Sequence, residues 1–425
     1  MRRLAVIGAG WAGLAAAVEA IDGGHAVSVF EMAPQPGGRA REVQLGDWRL
    51  DNGQHILIGA YRQTLRLMRR VGVDPEQVLL RSPLRLVEPD GRGLRLPPGP
   101  ATLAFVRGVL ARPGWPLRER LGLLAAAGRW RLQGFHCPPL ATVAQLTQGL
   151  GPAVQRDLIE PLCVAALNTP APEASAAVFL RVLRDALFAG PGSADLLLPR
   201  ADLGALLPRA AWQWLGQRGA TLRLGRRVQA LQADGPVWQV DGERFDAVVL
   251  AVPPGEAARL AAPVAPAWSG VAAALRYEPI ITVYLRSEGT RLPEPMLALP
   301  SDAESPAQFV FDRGQLGGPP GLLAFVISGA QPWVERGLPA TLAATQAQAG
   351  RLLGAVLRGP LEPVQTITEK RATFRCTPAL LRPAGRIAPG LVAAGDHVDG
   401  PYPATLEGAV LSAQAAMRAL EESPA

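Results

Sequence analysis

Residues 4–31 read LAVIGAGWAGLAAAVEAIDGGHAVSVFE, in which glycines interrupt an apolar run at a regular spacing. LAVIG (4–8) is short, apolar and rich in β-branched residues, as in strands that are covered on both faces. LAAAVEAIDGG (14–24) predicts a helix that ends at a glycine pair, and AVSVFE (26–31) predicts a second strand. This order is typical of the first βαβ unit of a Rossmann-like α/β fold that binds a dinucleotide.

The three glycines of the turn have separate physical roles. Gly8 permits the tight turn, Gly10 lets a pyrophosphate approach the backbone, and Gly13 lets the helix pack closely on the strand. The helix N-terminus presents amides and the positive end of its dipole to the phosphates. Glu31 lies 18 residues after Gly13, close to the spacing expected for an acid that binds ribose hydroxyls.

A second glycine turn follows in EMAPQPGGRARE (31–42), which contains Gly37-Gly38-Arg39. Its arginine suits a phosphate group. Together with the Asp51-Asn52-Gly53 segment downstream, this turn resembles the corresponding parts of the superfamily of flavin-dependent amine oxidases and phytoene desaturases. The resemblance implies FAD as the cofactor.

Two later stretches match the same superfamily. Residues 219–254 predict successive short strands, although an ordinary β-meander would give the same pattern. By resemblance, the backbone at Val228 faces the adenine. Residues 390–420, GLVAAGDHVDGPYPATLEGAVLSAQAAMRAL, predict a strand, a Gly-Asp turn, a loop and a helix. By resemblance, Asp396 binds ribityl or pyrophosphate hydroxyls, and the helix that begins near Ala404-Thr405 directs its amides at the flavin.

The motifs and the resemblance predict an α/β protein of 425 residues with a discontinuous Rossmann-like FAD-binding domain and an inserted α+β substrate domain, as in flavin amine oxidases. The FAD-binding domain is expected to comprise 1–80, 192–255 and 385–425, and the substrate domain 81–191 and 256–384. The predicted cofactor-binding residues are Gly8, Gly10, Trp11, Ala12, Gly13, Glu31, Gly37, Gly38, Arg39, Gly53, Gln54, His55, Val228, Gly395, Asp396, Ala404 and Thr405.

Composition sets limits on location and partners. The net charge is +7 and the pI about 10.1, but Lys370 is the only lysine, so arginine carries nearly all of the positive charge. This is weak evidence for an anionic partner: a membrane surface is as good a candidate as RNA, and we predict no nucleic-acid partner. Cys137, Cys163 and Cys376 are far apart and lack metal-ligand spacing, which indicates a reduced, cytoplasmic setting without a metal site. No uninterrupted run of about 18 apolar residues is present, so a spanning helix is not expected.

Residues 101–135 combine six arginines and four aromatic residues with many leucines. This mixture is typical of a segment that lies on an anionic membrane surface. The alternative is an amphipathic helix pair that packs on its own core and leaves its arginines in solvent. As a membrane-contact segment, 101–135 would make the protein peripheral at the inner face of the cytoplasmic membrane.

The stretch DNGQHILIGAY (51–61) distinguishes branches of the superfamily. Phytoene desaturases carry a Pro-Thr pair after Asp-x-Gly, whereas this chain has Gln54 and His55 and resembles the hydroxysqualene dehydroxylase family, as does QFVFDRG (308–314). The resemblance implies that reduced FAD delivers hydride to hydroxysqualene, or a similar long isoprenoid, as water leaves. No second nucleotide motif is seen, so a separate electron donor is expected. The alternatives are a carotenoid-type desaturase and a non-catalytic isoprenoid-binding protein of the same fold.

Three residues are candidates to protonate the departing hydroxyl, because hydroxide is a poor leaving group. His55 is the first, since its ordinary pKa suits proton donation near neutrality; alternatively, it only hydrogen-bonds the flavin or a backbone carbonyl. Asp312, with Arg313, ends an otherwise apolar strand, and the alternative there is a solvated turn pair. Tyr402, beside the predicted flavin-binding helix, is the third.

Overall fold

The computed structural model describes residues 1–422. Its strands are β1 (Arg3–Ile7), β2 (Ala26–Phe30), β3 (Glu42–Leu45), β4 (Trp48–Asp51), β5 (Leu57–Ile58), β6 (Leu79–Ser82), β7 (Arg85–Val87), β8 (Gly93–Arg95), β9 (Leu196–Pro199), β10 (Thr221–Arg223), β11 (Leu231–Asp234), β12 (Val237–Val240), β13 (Glu243–Phe245), β14 (Ala247–Leu250), β15 (Tyr277–Arg286), β16 (Met296–Ala298), β17 (Phe309–Asp312), β18 (Leu322–Ile327), β19 (Glu362–Phe374), β20 (Arg386–Ala388) and β21 (Leu391–Ala393). Its α-helices are α1 (Trp11–Asp22), α2 (Arg62–Arg70), α3 (Pro75–Val78), α4 (Ala101–Ala111), α5 (Leu117–Leu132), α6 (Val143–Thr147), α7 (Pro152–Val154), α8 (Glu160–Leu167), α9 (Ala176–Leu187), α10 (Leu203–Leu206), α11 (Pro208–Gln217), α12 (Pro254–Ala261), α13 (Pro266–Ala273), α14 (Gln331–Arg336), α15 (Leu338–Leu353) and α16 (Leu406–Glu421). A π-helical turn covers Gln155–Ile159, and a 3-10 helix covers Arg313–Leu316.

Six strands form the sheet that carries the first glycine turn, in the order β10–β2–β1–β14–β21–β20. Neighbouring strands run parallel from β10 to β21, and β20 pairs antiparallel with β21. Val6 of β1 pairs with Val29 and with Val249, so the sheet has an apolar centre. The carboxyl ends of the parallel strands share one edge, which is where sheets of this kind bind ligands.

Both faces of this sheet are covered. Helices α1 and α16 share a core with one face, through Leu14, Ala413 and Met417 among others. The other face packs against the three-stranded sheet β11–β12–β13, where Trp238 and Phe245 are buried. Coverage on both faces is what the continuous apolar sequence of β1 and β14 requires.

A second, antiparallel sheet has the order β16–β17–β18–β15–β19. One face of β15 packs against α15, through Val283 and Leu353. The opposite face lies in what we call the apolar layer, which it shares with β9 and β4. The buried members of the apolar layer are Leu50, Leu196, Leu198, Tyr284, Met296, Phe309, Phe311, Leu316, Leu322, Ala324 and Val326.

Helices α4, α5, α8 and α9 pack together into a separate helical core. Phe105, Trp115 and Trp130 are buried in this core, so these aromatic side chains do not form the membrane-facing surface that the sequence suggested. Composition alone does not tell which face of a helix packs inward. The exposed side chains of α4 and α5 include leucines instead.

The architecture agrees with the predicted α/β class with a Rossmann-like domain and an inserted α+β part. The first sheet takes its strands from residues 3–30, 221–250 and 386–393. The exact limits of the two domains stay a prediction. Within residues 1–422, no helix is long and apolar enough to cross a lipid bilayer.

Candidate active site

The first glycine turn leaves no room for side chains at two of its positions. Gly8 has a φ of +105°, and a Cβ on it would lie 2.3 Å from the Ala251 carbonyl oxygen. A Cβ on Gly13 would lie 1.8 Å from the Gly8 carbonyl oxygen. Because neither contact can be relieved without moving backbone, glycine at these positions is what lets α1 approach the sheet so closely.

The second glycine turn lies directly on the first. Gly37 pairs with Gly10 in a parallel β-bridge, and a Cβ on Gly38 would lie 3.1 Å from the Gly10 Cα atom. Helix α1 starts without a side-chain cap and without an acidic residue in its first turn. The first amides of the helix, which include those of Trp11 and Ala12, are therefore suited to an anion.

Glu31 lies just beyond β2, and the backbone holds its buried carboxylate. One oxygen accepts the Ala9 amide at 2.7 Å, and the other accepts the Ala33 amide at 2.8 Å. The Arg226 amide donates to the Glu31 carbonyl at 2.8 Å, which brings nearby Val228 to the same edge of the sheet. The acid predicted to bind ribose is thus fixed beside the first glycine turn.

Arg39 and Asp396 join the second glycine turn to the C-terminal Gly-Asp turn. Arg39 Nη2 lies 2.5 Å from Asp396 Oδ1, and Arg39 Nη1 donates to the Ala372 carbonyl at 2.8 Å. Burial by itself would raise the pKa of Asp396, but the Arg39 guanidinium and His397 together hold this pKa well below its usual range. The Gly395 amide is held by α16, where it donates to a serine hydroxyl at 2.8 Å. Asp396 is therefore an ionised, fixed acceptor.

The C-terminal loop enters α16 through two constrained residues. Ala404 has a φ of +56°, and its amide donates to the Asp396 carbonyl at 3.1 Å. The Thr405 hydroxyl oxygen caps α16 by accepting an amide of the first turn at 2.9 Å. Glu407, which the sequence did not single out, accepts the amide and the hydroxyl of Thr64 at 2.8 and 2.7 Å. This contact ties α16 to the start of α2.

His55 is half-buried in the turn that follows β4. Its Nδ1 lies 3.0 Å from the Gly53 carbonyl oxygen, and because a carbonyl only accepts, Nδ1 carries a proton. Burial lowers the pKa of His55, and the Gly53 hydrogen bond opposes this only in part. In the resting, neutral ring Nε2 is thus an acceptor, and proton donation from Nε2 requires that it first take up a proton.

Gln54 belongs to a group of four polar residues, here called the Gln54 network. Its amide nitrogen donates to the Tyr284 hydroxyl at 2.9 Å, and that hydroxyl donates to the Asp51 carbonyl at 2.9 Å. Its amide oxygen accepts from Arg313 Nη1 at 3.0 Å, and Arg313 Nη2 lies 3.7 Å from the Asp51 carboxylate. The network fixes the turn that carries His55 against β15. Tyr284 was not predicted, although Thr282 and Tyr284 are polar residues two positions apart in the otherwise apolar stretch 279–285 of β15, and therefore on one face.

The other two predicted proton donors have different surroundings. Asp312 caps the 3-10 helix, and both its carboxylate oxygens accept hydrogen bonds, from Gln315 and from the Leu292 amide. Tyr402 is half-buried, and burial together with the nearby Asp185 carboxylate raises its pKa to about 12. These contacts favour a structural role for Asp312 and keep the Tyr402 phenol protonated. Catalytic roles for both stay predictions.

Several buried polar atoms near these turns have no hydrogen-bond partner among residues 1–422. They include the hydroxyls of Tyr277 and Thr282 and Nε2 of His397. Thr282 Oγ1 lies 3.8 Å from the position of a Cβ on Gly53, and His397 Nδ1 lies 3.9 Å from Asp396 Oδ1. Because an unpaired buried polar group is costly, these atoms are suited to a bound polar ring. With the glycine turns and the uncapped helix, they fit a flavin nucleotide.

Comparison with known proteins agrees with this geometry. The chain belongs to the flavin containing amine oxidoreductase family, whose sequence model matches residues 11–420. It is therefore a flavin-dependent oxidoreductase. Among its relatives, hydroxysqualene dehydroxylase of Rhodopseudomonas palustris is 30% identical over 96% of this chain and 95% of that protein, and the enzyme of the same name from Sinorhizobium fredii is 28% identical over 98% of both. An oxidoreductase from Methanosarcina mazei, 16% identical, has the same fold, with a TM-score of 0.74 over 98% of this chain and all of that one.

The similarity to zeta-carotene desaturases covers a short part of the chain. The zeta-carotene desaturase of Zea mays is 40% identical over 73 residues, which are 17% of this chain and 13% of that protein. The comparison therefore favours the dehydroxylase relatives over the desaturase alternative.

Proposed function

We propose that this chain reduces hydroxysqualene to squalene and that its flavin is FAD. The observation that carries the proposal is the whole-length similarity to hydroxysqualene dehydroxylases. The Gln54-His55 pair supports it, since this pair stands where the resemblance separates these enzymes from phytoene desaturases. The glycine turns, Glu31 and Asp396 are the residues that would hold the dinucleotide.

The proposed reaction replaces an allylic secondary hydroxyl by hydrogen. The carbon–oxygen bond breaks, a carbon–hydrogen bond forms at the same carbon, and the hydroxyl leaves as water after gaining one proton. When bound in its reduced form, FAD supplies the hydride and thus both electrons. A separate electron donor restores the reduced cofactor.

The apolar layer suits a hydrocarbon substrate. Ile56 and Ile58, which follow His55 in the chain, pack against this layer, in which Phe309 and Phe311 are buried. Both isoleucines are only partly buried, and an isoprenoid chain that lies against them would gain free energy by removing their apolar surface from water. The same surface excludes water, which would otherwise capture an allylic cation as the hydroxyl departs.

His55 is the proposed proton donor. Its Nδ1 is engaged with Gly53, so the departing hydroxyl would receive the proton from Nε2. Because burial lowers the pKa of His55, the donor form becomes more populated as the pH falls. Tyr402, whose pKa is raised to about 12 by burial and by Asp185, is the alternative donor; its phenol is protonated throughout the neutral range and would give no such pH dependence there.

The substrate also bears on where the enzyme works. Hydroxysqualene is an oily molecule that partitions into lipid bilayers, and we propose a peripheral position at the inner face of the cytoplasmic membrane. The arrangement gives the enzyme access to its substrate without a membrane-spanning segment.

Product analysis tests the proposed function. The purified protein, reconstituted with FAD and reduced by dithionite, is incubated with hydroxysqualene, and in parallel its oxidised form is incubated with phytoene. Squalene formed from the first incubation alone is the expected result. Desaturation of phytoene without any squalene would instead assign the desaturase activity, and a colourless protein that takes up no FAD would favour the non-catalytic alternative.

A further inference from the structure

The outer face of helix α5 carries an apolar stripe that no part of residues 1–422 covers. Leu117, Leu121 and Leu132 are 63%, 52% and 89% exposed, and the intervening Ala125 and Gly128 are exposed as well. The spacings of four, four, three and four residues place all five on one side of the helix. Such a stripe normally faces a protein core, and here it faces outward.

The fold does not depend on this stripe. The opposite side of α5 supplies the helical core with Leu123, Ala126 and Trp130. Helix α5 is therefore apolar on both sides, although packing within the protein uses only one. An exposed apolar stripe of this kind marks a surface that contacts something else.

Further exposed leucines lie on helix α4, which packs beside α5, and in the segment after α5. Leu103 and Leu110 are exposed on α4, and Leu140 is 74% exposed. Within residues 1–422, six of the eleven exposed large hydrophobic side chains lie between positions 103 and 140. The residues that come after α5 in the chain line a groove of about 390 Å³. They are Cys137, Pro138, Leu140, Ala141, Gln145 and Leu146.

The exposed charged side chains of residues 101–140 are all arginines. Arg107, Arg118 and Arg129 are exposed on the same two helices. Glu119 is the only acidic residue between positions 101 and 140. Its side chain is buried, where it accepts the Ala153 amide at 3.0 Å. Residues 101–140 thus combine exposed leucines and arginines without an exposed carboxylate of their own.

We propose that the outer face of α4 and α5 docks on an anionic lipid bilayer, with the leucines inserted at the level of the headgroups and the arginines on the lipid phosphates. This inference deepens the proposed function, since a substrate of that class is dissolved in the bilayer. Charge complementarity identifies the partner: an amphipathic helix with basic flanks binds an anionic leaflet through both effects together.

Vesicle flotation tests the proposal on the full-length, flavin-loaded protein. Vesicles of phosphatidylcholine with phosphatidylglycerol are compared with vesicles of phosphatidylcholine alone. We expect the protein to float with the anionic vesicles and much less with the neutral ones, since each exposed arginine favours an anionic surface roughly fivefold. A protein that stays unbound in both cases would overturn the proposal.

Two variants locate the surface. The triple variant L117S/L121S/L132S should reduce the bound fraction at anionic vesicles at least about tenfold, and R118E/R129E should reduce it by a similar factor. The matched control is L224S/L338S/L381S, which removes three leucines that are 41%, 42% and 71% exposed elsewhere, and it should float like the wild type. A stripe variant that floats normally, or a control that loses binding equally, contradicts the proposed surface.

Two further measurements distinguish a failure of the membrane proposal from a failure of the proposed reaction. Squalene formation by the stripe variant in detergent solution should equal that of the wild type, because detergent delivers the substrate without a bilayer. A wild type that floats but forms no squalene would remove the proposed reaction and leave the membrane surface intact. A wild-type dimer in solution that is lost in the stripe variant, together with absent flotation, would assign the stripe to a second copy and overturn the bilayer as its partner.

Discussion

Arg39 and Asp396, which are 357 positions apart in the sequence, form an ion pair with an Nη2 to Oδ1 distance of 2.5 Å. The pair connects the glycine turn after β2 with the Gly-Asp turn after β21. It also explains why Asp396 stays ionised although it is 9% exposed, since the guanidinium lowers its pKa against the effect of burial. These two turns belong to opposite ends of the chain, and the proposed cofactor site exists only where they meet.

Replacement of Asp396 by asparagine should break the ion pair with Arg39 and also cause the protein to lose bound flavin. Loss of one partner leaves the Arg39 charge without its carboxylate, and we expect the free energy of unfolding to fall by about 3 kcal/mol. The ratio of flavin absorbance to protein absorbance after gel filtration should fall severalfold. Asp399 in the same loop provides the control, because its carboxylate is 73% exposed and pairs with Arg382 instead of Arg39. D396N protein with full flavin content would contradict the assigned role.

The glycines of the first turn should respond differently to alanine. A Cβ on Gly10 would lie 3.8 Å from Gly38 Cα, an ordinary contact, and the Gly10 φ of −70° suits alanine. G10A should therefore keep its stability within about 1 kcal/mol of the wild type but retain little flavin, because the methyl group occupies the path of the pyrophosphate. G13A should fail to fold, since its Cβ meets the Gly8 carbonyl. Thermal melting and flavin content distinguish the two outcomes. G10A with normal flavin content, or G13A as stable as the wild type, would count against the turn as a pyrophosphate site.

Asp51 should make stability depend on pH in a defined direction. Burial raises its pKa to about 6 from 3.8, more than Arg313 and the Leu203 hydrogen bond lower it. Between these values the folded state binds the extra proton, so the free energy of unfolding decreases as the pH rises through this window and then levels off. Relative to D51N, the wild type should lose about 3 kcal/mol between about pH 4 and about pH 7. Urea unfolding at several pH values measures this difference, and parallel curves for the two proteins would show that Asp51 is not perturbed by burial.

His55 should be needed for turnover and dispensable for flavin. H55A should keep its bound flavin and lose roughly a hundredfold in rate, the size expected for general acid catalysis. In the wild type the rate should rise as the pH is lowered from about 8 to about 6, and H55Q should abolish this dependence. The control is H136Q, which alters an exposed histidine. Wild-type rates in H55A would remove the acid role.

The sequence was informative where backbone sterics decide the structure. At Gly8 and Gly13 the close approach of α1 to the sheet admits no side chain, so the motif itself predicts the turn, the helix and the two strands that flank them. Arg39 and Asp396 were identified one by one through a family resemblance. Their direct contact was not foreseen, because a motif does not show what its side chains touch.

The side-chain network around Gln54 was beyond sequence reasoning for a physical reason. Its hydrogen bond to Tyr284 joins residues 230 positions apart. Such a contact depends on how the turn after β4 packs against β15, which no local sequence pattern shows. The aromatic residues Trp115 and Trp130 show the same limit. Helix α5, which carries Trp130 and which Trp115 precedes, is apolar on two sides, and only the packed structure shows that the tryptophans turn inward and the leucines outward.

The most direct measurement is an anaerobic single turnover. Enzyme whose FAD has been photoreduced is mixed with hydroxysqualene, and the visible absorbance of oxidised flavin and the amount of squalene are followed together. If hydride passes from the flavin to the substrate, both should appear at the same rate, with one squalene formed for each flavin oxidised. Flavin that stays reduced while hydroxysqualene is unchanged, or squalene that forms without flavin oxidation, would contradict the proposed reaction.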